Sequence, residues 1–373
     1  MGLHRDGASL GLSPFETEMR TRLWWQIVHI DLRASEFSGA VASKDLFLGD
    51  VKIPLNVEDE DLYPDMKSPP PQRIGITPMV FCLLRCDHSE FRGSLAAPYS
   101  TVLRHETLVS PDLSIAEKDV LIHQMEDLLE TKYLRYCDPS NSLHYFASVI
   151  ARSTICRMKL IAHNPRQFSN RGAKVPQKER DIIFANGTKY IEYGNLLQST
   201  PALRKYMWQI RSGFLWDSLV YVLIETRHRK IGPEVDRVWQ LIAGAFGHYP
   251  DIFAEASDAL EAAVGAWTLQ VWDDCAAARK AEGLPELPTP EYITSLRRNR
   301  RPTAESSFRL NDSKNTVGNS MSYAKDLPPG QAGYPVIDFG AHEAYDFSNL
   351  LSYDLEPDEW LQWERLFGTQ GNC

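Results

Sequence analysis

The chain is short of cysteine, of basic charge and of long apolar runs, and each shortage excludes something. Six cysteines in 373 residues (82, 86, 137, 156, 275 and 373) are too few and too scattered for a disulfide framework. A reducing, intracellular compartment is the expectation they leave. No apolar run approaches the ~18 residues that a membrane helix requires. The first residues lack the basic-then-apolar order of a secretion signal. Forty Lys and Arg stand against 49 Asp and Glu, a net charge of −9. An acidic total gives no electrostatic footprint for nucleic acid, so this chain is not expected to read DNA by itself.

Catalytic signatures are missing as well. There is no Gly-x-Ser-x-Gly elbow, no Walker loop and no dinucleotide fingerprint. His4, His29, His144, His163 and His248 show no ligand spacing, and His29 reads as a hydrogen-bonded core residue. Asp273 and Asp274 are adjacent, which on a helix points them in different directions. The acids 58–61 read as a solvated loop. Cys82 and Cys86 sit four apart in an apolar run, on one helical face, which suits core better than metal. No catalytic, metal-binding or DNA-binding residue and no cofactor is therefore assigned, and no enzyme is expected.

What is present is helical periodicity. An apolar fraction of 43% and a charged fraction of 24% suit a soluble globular protein. Residues 1–30 read as helix with a break at 7–12. Ser13 caps its second part, Pro14 takes the first helical position, and Glu16 completes a capping box. Phe15, Met19, Leu23, Ile27 and Ile30 then form one apolar stripe. Trp24, Trp25, Val28 and Leu32 widen it, so this helix is expected deep inside a large domain. It is greasy enough that self-association is expected too. Arg20 and Arg22 are expected to pair with Glu16, Glu18 or Asp31. Prolines from 54 to 78 make residues 34–78 a loop.

Helical patterning returns at 77–108 and again after Ser114, where Glu117 completes a second box. Further helices are expected at 143–162, 181–198, 202–228, 233–247 and 253–281. No stretch alternates with period two over a useful length, so the class is all-α, with one large helical domain at about 1–300. Arg297, Arg298, Arg300 and Arg301 close a short last helix. They serve either as a nuclear import signal or as a solvated helix end whose cations suit the terminal carbonyls.

Residues 301–337 are rich in Ser, Asn, Gly and Pro and read as a disordered linker, because too little apolar area is available to offset ordering entropy. Residues 338–373 differ again. Eight acids between 338 and 367 oppose one cation, Arg365, so −7 of the net charge lies there. Interleaved with them are Phe339, Phe347, Leu350, Leu351, Trp360, Leu361, Trp363 and Phe367. Acidic–hydrophobic alternation marks an activation segment, since mutual repulsion keeps the apolar side chains available to a partner groove. A C-terminal helix that packs back on the domain is the other reading.

One stretch carries a resemblance. Residues 2–6, then Ser13, Pro14, Phe15, Glu16, Glu18, Met19, Arg20, Leu23, Trp24, Trp25, Asp31, Ser35 and Gly39 resemble the middle regulatory domain of fungal-specific transcription factors. Pro54, Leu55, Asn56, Asp59, Asp61, Leu62 and Pro64 continue the likeness, which thins out toward residue 250. The resemblance implies a helical regulatory domain whose core includes those motif residues, wrapped by the proline-rich loop, with the aromatic region around Trp208, Phe214, Trp216 and Tyr221 either core or cavity wall. It implies a six-cysteine zinc cluster that precedes such a domain; zinc and DNA contact are expected only through that module, which this chain lacks, as if shortened at its N-terminus. Implied partners are a coactivator or the transcription machinery, and a homo- or heterodimer mate, in the nucleus and away from membranes. Two alternatives remain: a helical enzyme of a fungal biosynthetic pathway, or a dimerisation partner that lacks a DNA reader.

Overall fold

Three of the described helices start where the sequence supplies a cap. In a computed structural model of the chain, residues 2–38, 49–96, 99–102, 105–165, 175–209, 216–248 and 259–299 are described. The first helix, α1 (Pro14–Ser38), opens on the predicted box. Glu16 N–H donates to Ser13 Oγ at 3.2 Å, and Ser13 N–H donates to the Glu16 carboxylate at 3.4 Å. The second box opens α4 (Ile115–Lys132), with Ser114 N–H donating to Glu117 at 2.8 Å and Glu117 N–H returning to Ser114 Oγ at 3.3 Å. Asn141 caps α5 (Ser142–Ala162) through its side-chain oxygen. Changing Ser114 to Ala is expected to cost about 1 kcal/mol, read as a lower urea midpoint with an unchanged slope.

Between α1 and α4 lie α2 (Val80–Glu90), a two-stranded antiparallel hairpin of β1 (Arg92–Ala96) and β2 (Tyr99–Val102), and α3 (His105–Val109). After α5 come α6 (Gln177–Ser199), α7 (Trp216–Arg229), α8 (Pro233–His248), α9 (Ala259–Ala281) and α10 (Glu291–Asn299). The fold class is all-α, with that hairpin as a minor addition.

The core has two main parts. Leu83, Leu84, Leu121, Ile122, Met125 and Leu129 pack α2 and α4 against α5. Val222, Leu223, Trp239, Ile242, Trp267 and Trp272 join α7, α8 and α9. A ring ladder of Phe81, Phe146 and Tyr206, with centroids 5.1 and 5.0 Å apart, links α2, α5 and the segment after α6. The α6–α7 crossing is tight: a Cβ on Gly187 would lie 2.8 Å from Val222 Cγ2. Only a residue without a side chain lets these two helices approach so closely.

Several expectations are corrected. Residues 3–5 form turns rather than helix, and a single 3-10 turn spans Ala8–Leu10. Gly2 and Gly11 take positive φ there (61° and 74°), which ends any helix locally. The patterning at 77–108 yields α2 and then the hairpin, because β1 crosses α4 so closely that a Cβ on Gly93 would meet Leu121 Cδ2 at 2.3 Å. Residues 202–228 do not form one helix: a 3-10 segment, Pro201–Gln209, precedes α7. The stripe of α1 is corrected most. Leu23, Ile27 and Ile30 are 50%, 37% and 57% exposed, while Glu18, Thr21, Trp25, Val28 and His29 form the buried face.

Candidate functional site

The family-motif residues meet in one place, and what they build there is a clasp. Glu18, nearly buried on α1, accepts from Leu55 N–H at 3.2 Å and from Arg22 Nε at 2.9 Å. Arg22 reaches on to Asp59 at 2.8 Å. Burial pushes the Glu18 carboxyl up, against the pull of Arg22. Trp25 Nε1 donates to the Lys52 carbonyl at 2.9 Å. Arg20 donates to the Gly2 carbonyl at 3.0 Å, and Asp6 N–H to Asp50 at 2.7 Å. Each bond ties α1, or the turns before it, to something else in the motif.

The strap itself is internally braced. Asn56 donates to the carbonyls of Arg73 and Gly75, both at 2.8 Å, and accepts from the Thr77 hydroxyl at 2.7 Å. Arg73 grips Asp61 with two bonds of 2.9 Å and holds that carboxyl below its usual range. Residues 49–77 therefore lie across the Glu18–Trp25 part of the buried α1 face, held by a carboxylate, an arginine and an indole, while α2 covers Val28 and His29. These are structural roles. Of the motif residues, Trp25 is buried, Ser13, Pro14, Phe15, Arg20, Trp24 and Asp31 are half-buried, and Glu16 and Leu23 are exposed. Leu23 is thus not core, for the strap and α2 together cover the side of α1 that carries Glu18, Trp25, Val28 and His29. Arg22 pairs with Glu18 as expected; its second partner, Asp59, has no local sequence signal.

His29 is buried, 3% exposed, and its ring packs on Trp25 with centroids 5.7 Å apart. Neither ring nitrogen has a partner of hydrogen-bonding geometry, which corrects the expectation of a hydrogen-bonded histidine. Burial and the nearby Arg85 and His88 charges push it down to about 3. Cys82 and Cys86 do lie in this small core with Trp25 and Val28. Among the described residues no group of three or more His, Cys, Asp or Glu is arranged to hold a metal ion. None of the described helices is long and apolar enough to cross a membrane.

At the other end, the Arg297 guanidinium pairs with Asp273 at 2.5 Å on α9, whereas Arg298 is exposed. Arg300 and Arg301, the 301–337 linker and every activation-segment residue from Phe339 to Phe367 lie outside the described residues. Of the aromatic region, Trp208 is exposed at 68% and the Tyr221 hydroxyl accepts from Asn164 at 2.7 Å. The Phe214 ring and the Trp216 side chain lie outside the described residues. Two further charge pairings were not foreseen: His163 between Asp119 and Glu179 (2.8 and 2.5 Å), and Arg180 on Glu225 (2.8 and 3.2 Å).

The chain matches known proteins over most of its length. The aurofusarin cluster transcription factor of Gibberella zeae is 32% identical over 292 residues, 77% of this chain and 43% of that protein. The chain belongs to this family of fungal transcription factors. Another relative, the transcriptional regulator AacuB of Aspergillus aculeatus, is 26% identical over 80% of this chain and 40% of its own length. The pyriculol/pyriculariol biosynthesis cluster transcription factor 1 of Pyricularia oryzae is 27% identical over the same shares. The chain thus spans less than half the length of these family members. No family model matches it, and no solved structure does.

Proposed function

We propose that this chain is the regulatory and activating part of a nuclear transcription regulator, and that it carries out no reaction. The observation that carries the reading is the likeness to three proteins named as regulators, across at least 77% of this chain. In this reading the helical body, residues 1–300, presents an acidic tail, residues 338–373, through the linker at 301–337. DNA is contacted by a zinc-cluster module outside this chain or carried by a dimer mate. The tail docks Trp360, Leu361, Trp363 and Phe367 into an apolar groove of a coactivator, and its carboxylates keep those side chains from burying one another beforehand. Arg298, exposed at the end of α10, with Arg297, Arg300 and Arg301, serves nuclear import.

The test is a reporter assay with the chain fused to an unrelated DNA-binding domain. The intact fusion and a fusion of residues 330–373 alone are both expected to activate. Replacing Trp360 and Trp363 with Ala removes two aromatic anchors, each worth about 2 kcal/mol at an interface, so partner affinity is expected to fall by roughly 30-fold for either change and toward roughly 1,000-fold for both. Silence from both fusions, with nuclear protein confirmed by blot, overturns the reading.

A further inference from the structure

A cavity of about 220 Å³ opens between the end of α4 and the first turns of α5, lined by Leu134, Cys137, Pro139, Tyr145, Ser148 and Arg152. Its polar groups are not equal. The Ser148 hydroxyl is already bonded to the Tyr145 carbonyl at 2.9 Å. The Cys137 thiol is pushed up by burial, with Glu130 adding to the effect and Arg152 opposing it, so it faces the cavity as a neutral group. Arg152 is exposed, and its bond to the Ser148 carbonyl is long at 3.5 Å.

Several arginines are gripped by acids: Arg22, Arg73, Arg180 and Arg227 each hold a carboxylate at 2.9 Å or closer. Among the described residues Arg152 holds none; the nearby acid, Glu130, acts on Cys137 instead. A guanidinium beside a cavity that mixes polar groups with Leu134, Pro139 and the Tyr145 ring, and with no carboxylate bonded to it among the described residues, is a half-built carboxylate site, because its fork of donors matches a carboxylate bidentately. The size sets the ligand. Pockets for drug-sized molecules run from ~300 to ~1,000 Å³, so this one suits a single ring or a short chain.

We propose that this cavity binds a small monocarboxylate. The carboxylate sits on Arg152, and the apolar part lies against Leu134, Pro139 and the Tyr145 ring, over the neutral Cys137 thiol. The inference concerns binding alone and stands independently of the regulatory reading above.

The experiment is titration calorimetry on the full chain with benzoate and hexanoate, and with benzamide as the uncharged counterpart. In parallel, iodoacetamide labelling of Cys137 is followed by peptide mass spectrometry, with Cys82 as the internal comparison. Benzoate or hexanoate is expected to bind, and benzamide to bind about tenfold or more weakly, as for a lost charge-assisted bond. Arg152→Gln is expected to lose the acids to the same extent at an unchanged thermal midpoint, since the side chain is exposed. Saturating acid is expected to slow the labelling of Cys137 several-fold and leave Cys82 alone. Failure of both acids to bind at millimolar concentration overturns the proposal. So does equal affinity for benzamide, undiminished binding by Arg152→Gln, or labelling of Cys137 that ignores the ligand.

Discussion

Changing Arg180 to Met is expected to destabilise the protein by about 3–5 kcal/mol at pH 7 to 8, the usual cost of stranding one member of a buried ion pair. Glu225 on α7 is 1% exposed, and Arg180 at the start of α6 meets it with two bonds, 2.8 and 3.2 Å long. Burial already raises the Glu225 carboxyl, and Arg180 is the main force that lowers it, with Arg229 a lesser one. Without Arg180, burial is opposed only by the weaker Arg229 charge, and the carboxyl moves further up. A group raised on folding favours the native state only below its unfolded value, here 4.5, and loses that advantage as pH rises through the folded value. The defect is therefore expected to shrink as pH falls toward 4.5 and to grow through neutrality, as read by urea unfolding at several pH values. Glu225→Gln is expected to be milder, since the Arg180 side chain is 26% exposed and can turn to water. Combining the two changes should recover most of the loss. A defect independent of pH, or a double variant no better than Arg180→Met, would show that the ion pair is not what matters.

His29 sets the second large effect, of the opposite sign in pH. Its folded value of about 3 lies below the 6.5 of an unhindered imidazole. A histidine depressed on folding leaves stability intact above 6.5, and the loss accumulates as pH falls from there to about 3. By linkage the loss reaches on the order of 2 kcal/mol at pH 5 and 4 kcal/mol at pH 3. The Arg85 and His88 charges oppose its charging, and only the Arg85 backbone works the other way, so burial and like charge outweigh any relief within the fold. Acid unfolding of the native chain should begin below pH 6.5, and His29→Leu should flatten the curve between pH 6 and 4. A variant that follows the native curve there would assign the acid sensitivity to other groups.

What could be read beforehand was whatever local chemistry decides. Both capping boxes were visible because Ser13 with Glu16, and Ser114 with Glu117, satisfy one another within four residues. The all-α class followed from periodicity that packing reinforced. Non-local choices were hidden. On α1, apolar residues occupy two sides, so periodicity alone could not rank Leu23, Ile27 and Ile30 against Trp25 and Val28; residues 49–77 and α2 made the choice. The hairpin at Arg92–Val102 was hidden because it depends on Gly93 lying against α4. Of the candidate site residues, sequence placed Arg22 on Glu18 correctly. It had no means of finding Asp59 as a third member, or Asn56 as the hub of the strap, because those partners stand 16 to 37 residues away.

The clasp also shapes how the chain folds. Every bond named above from Glu18 and Trp25 to the strap closes a loop of 27 to 37 residues, and closing such loops costs entropy before any contact repays it. The N-terminal helix and its strap are therefore expected to settle and to release together, along with the α2 contacts of Cys82 and Cys86 on Trp25 and Val28. A transient opening of this unit uncovers Trp25, Val28 and Cys86 at once, leaving the bodies of α4 to α10 assembled.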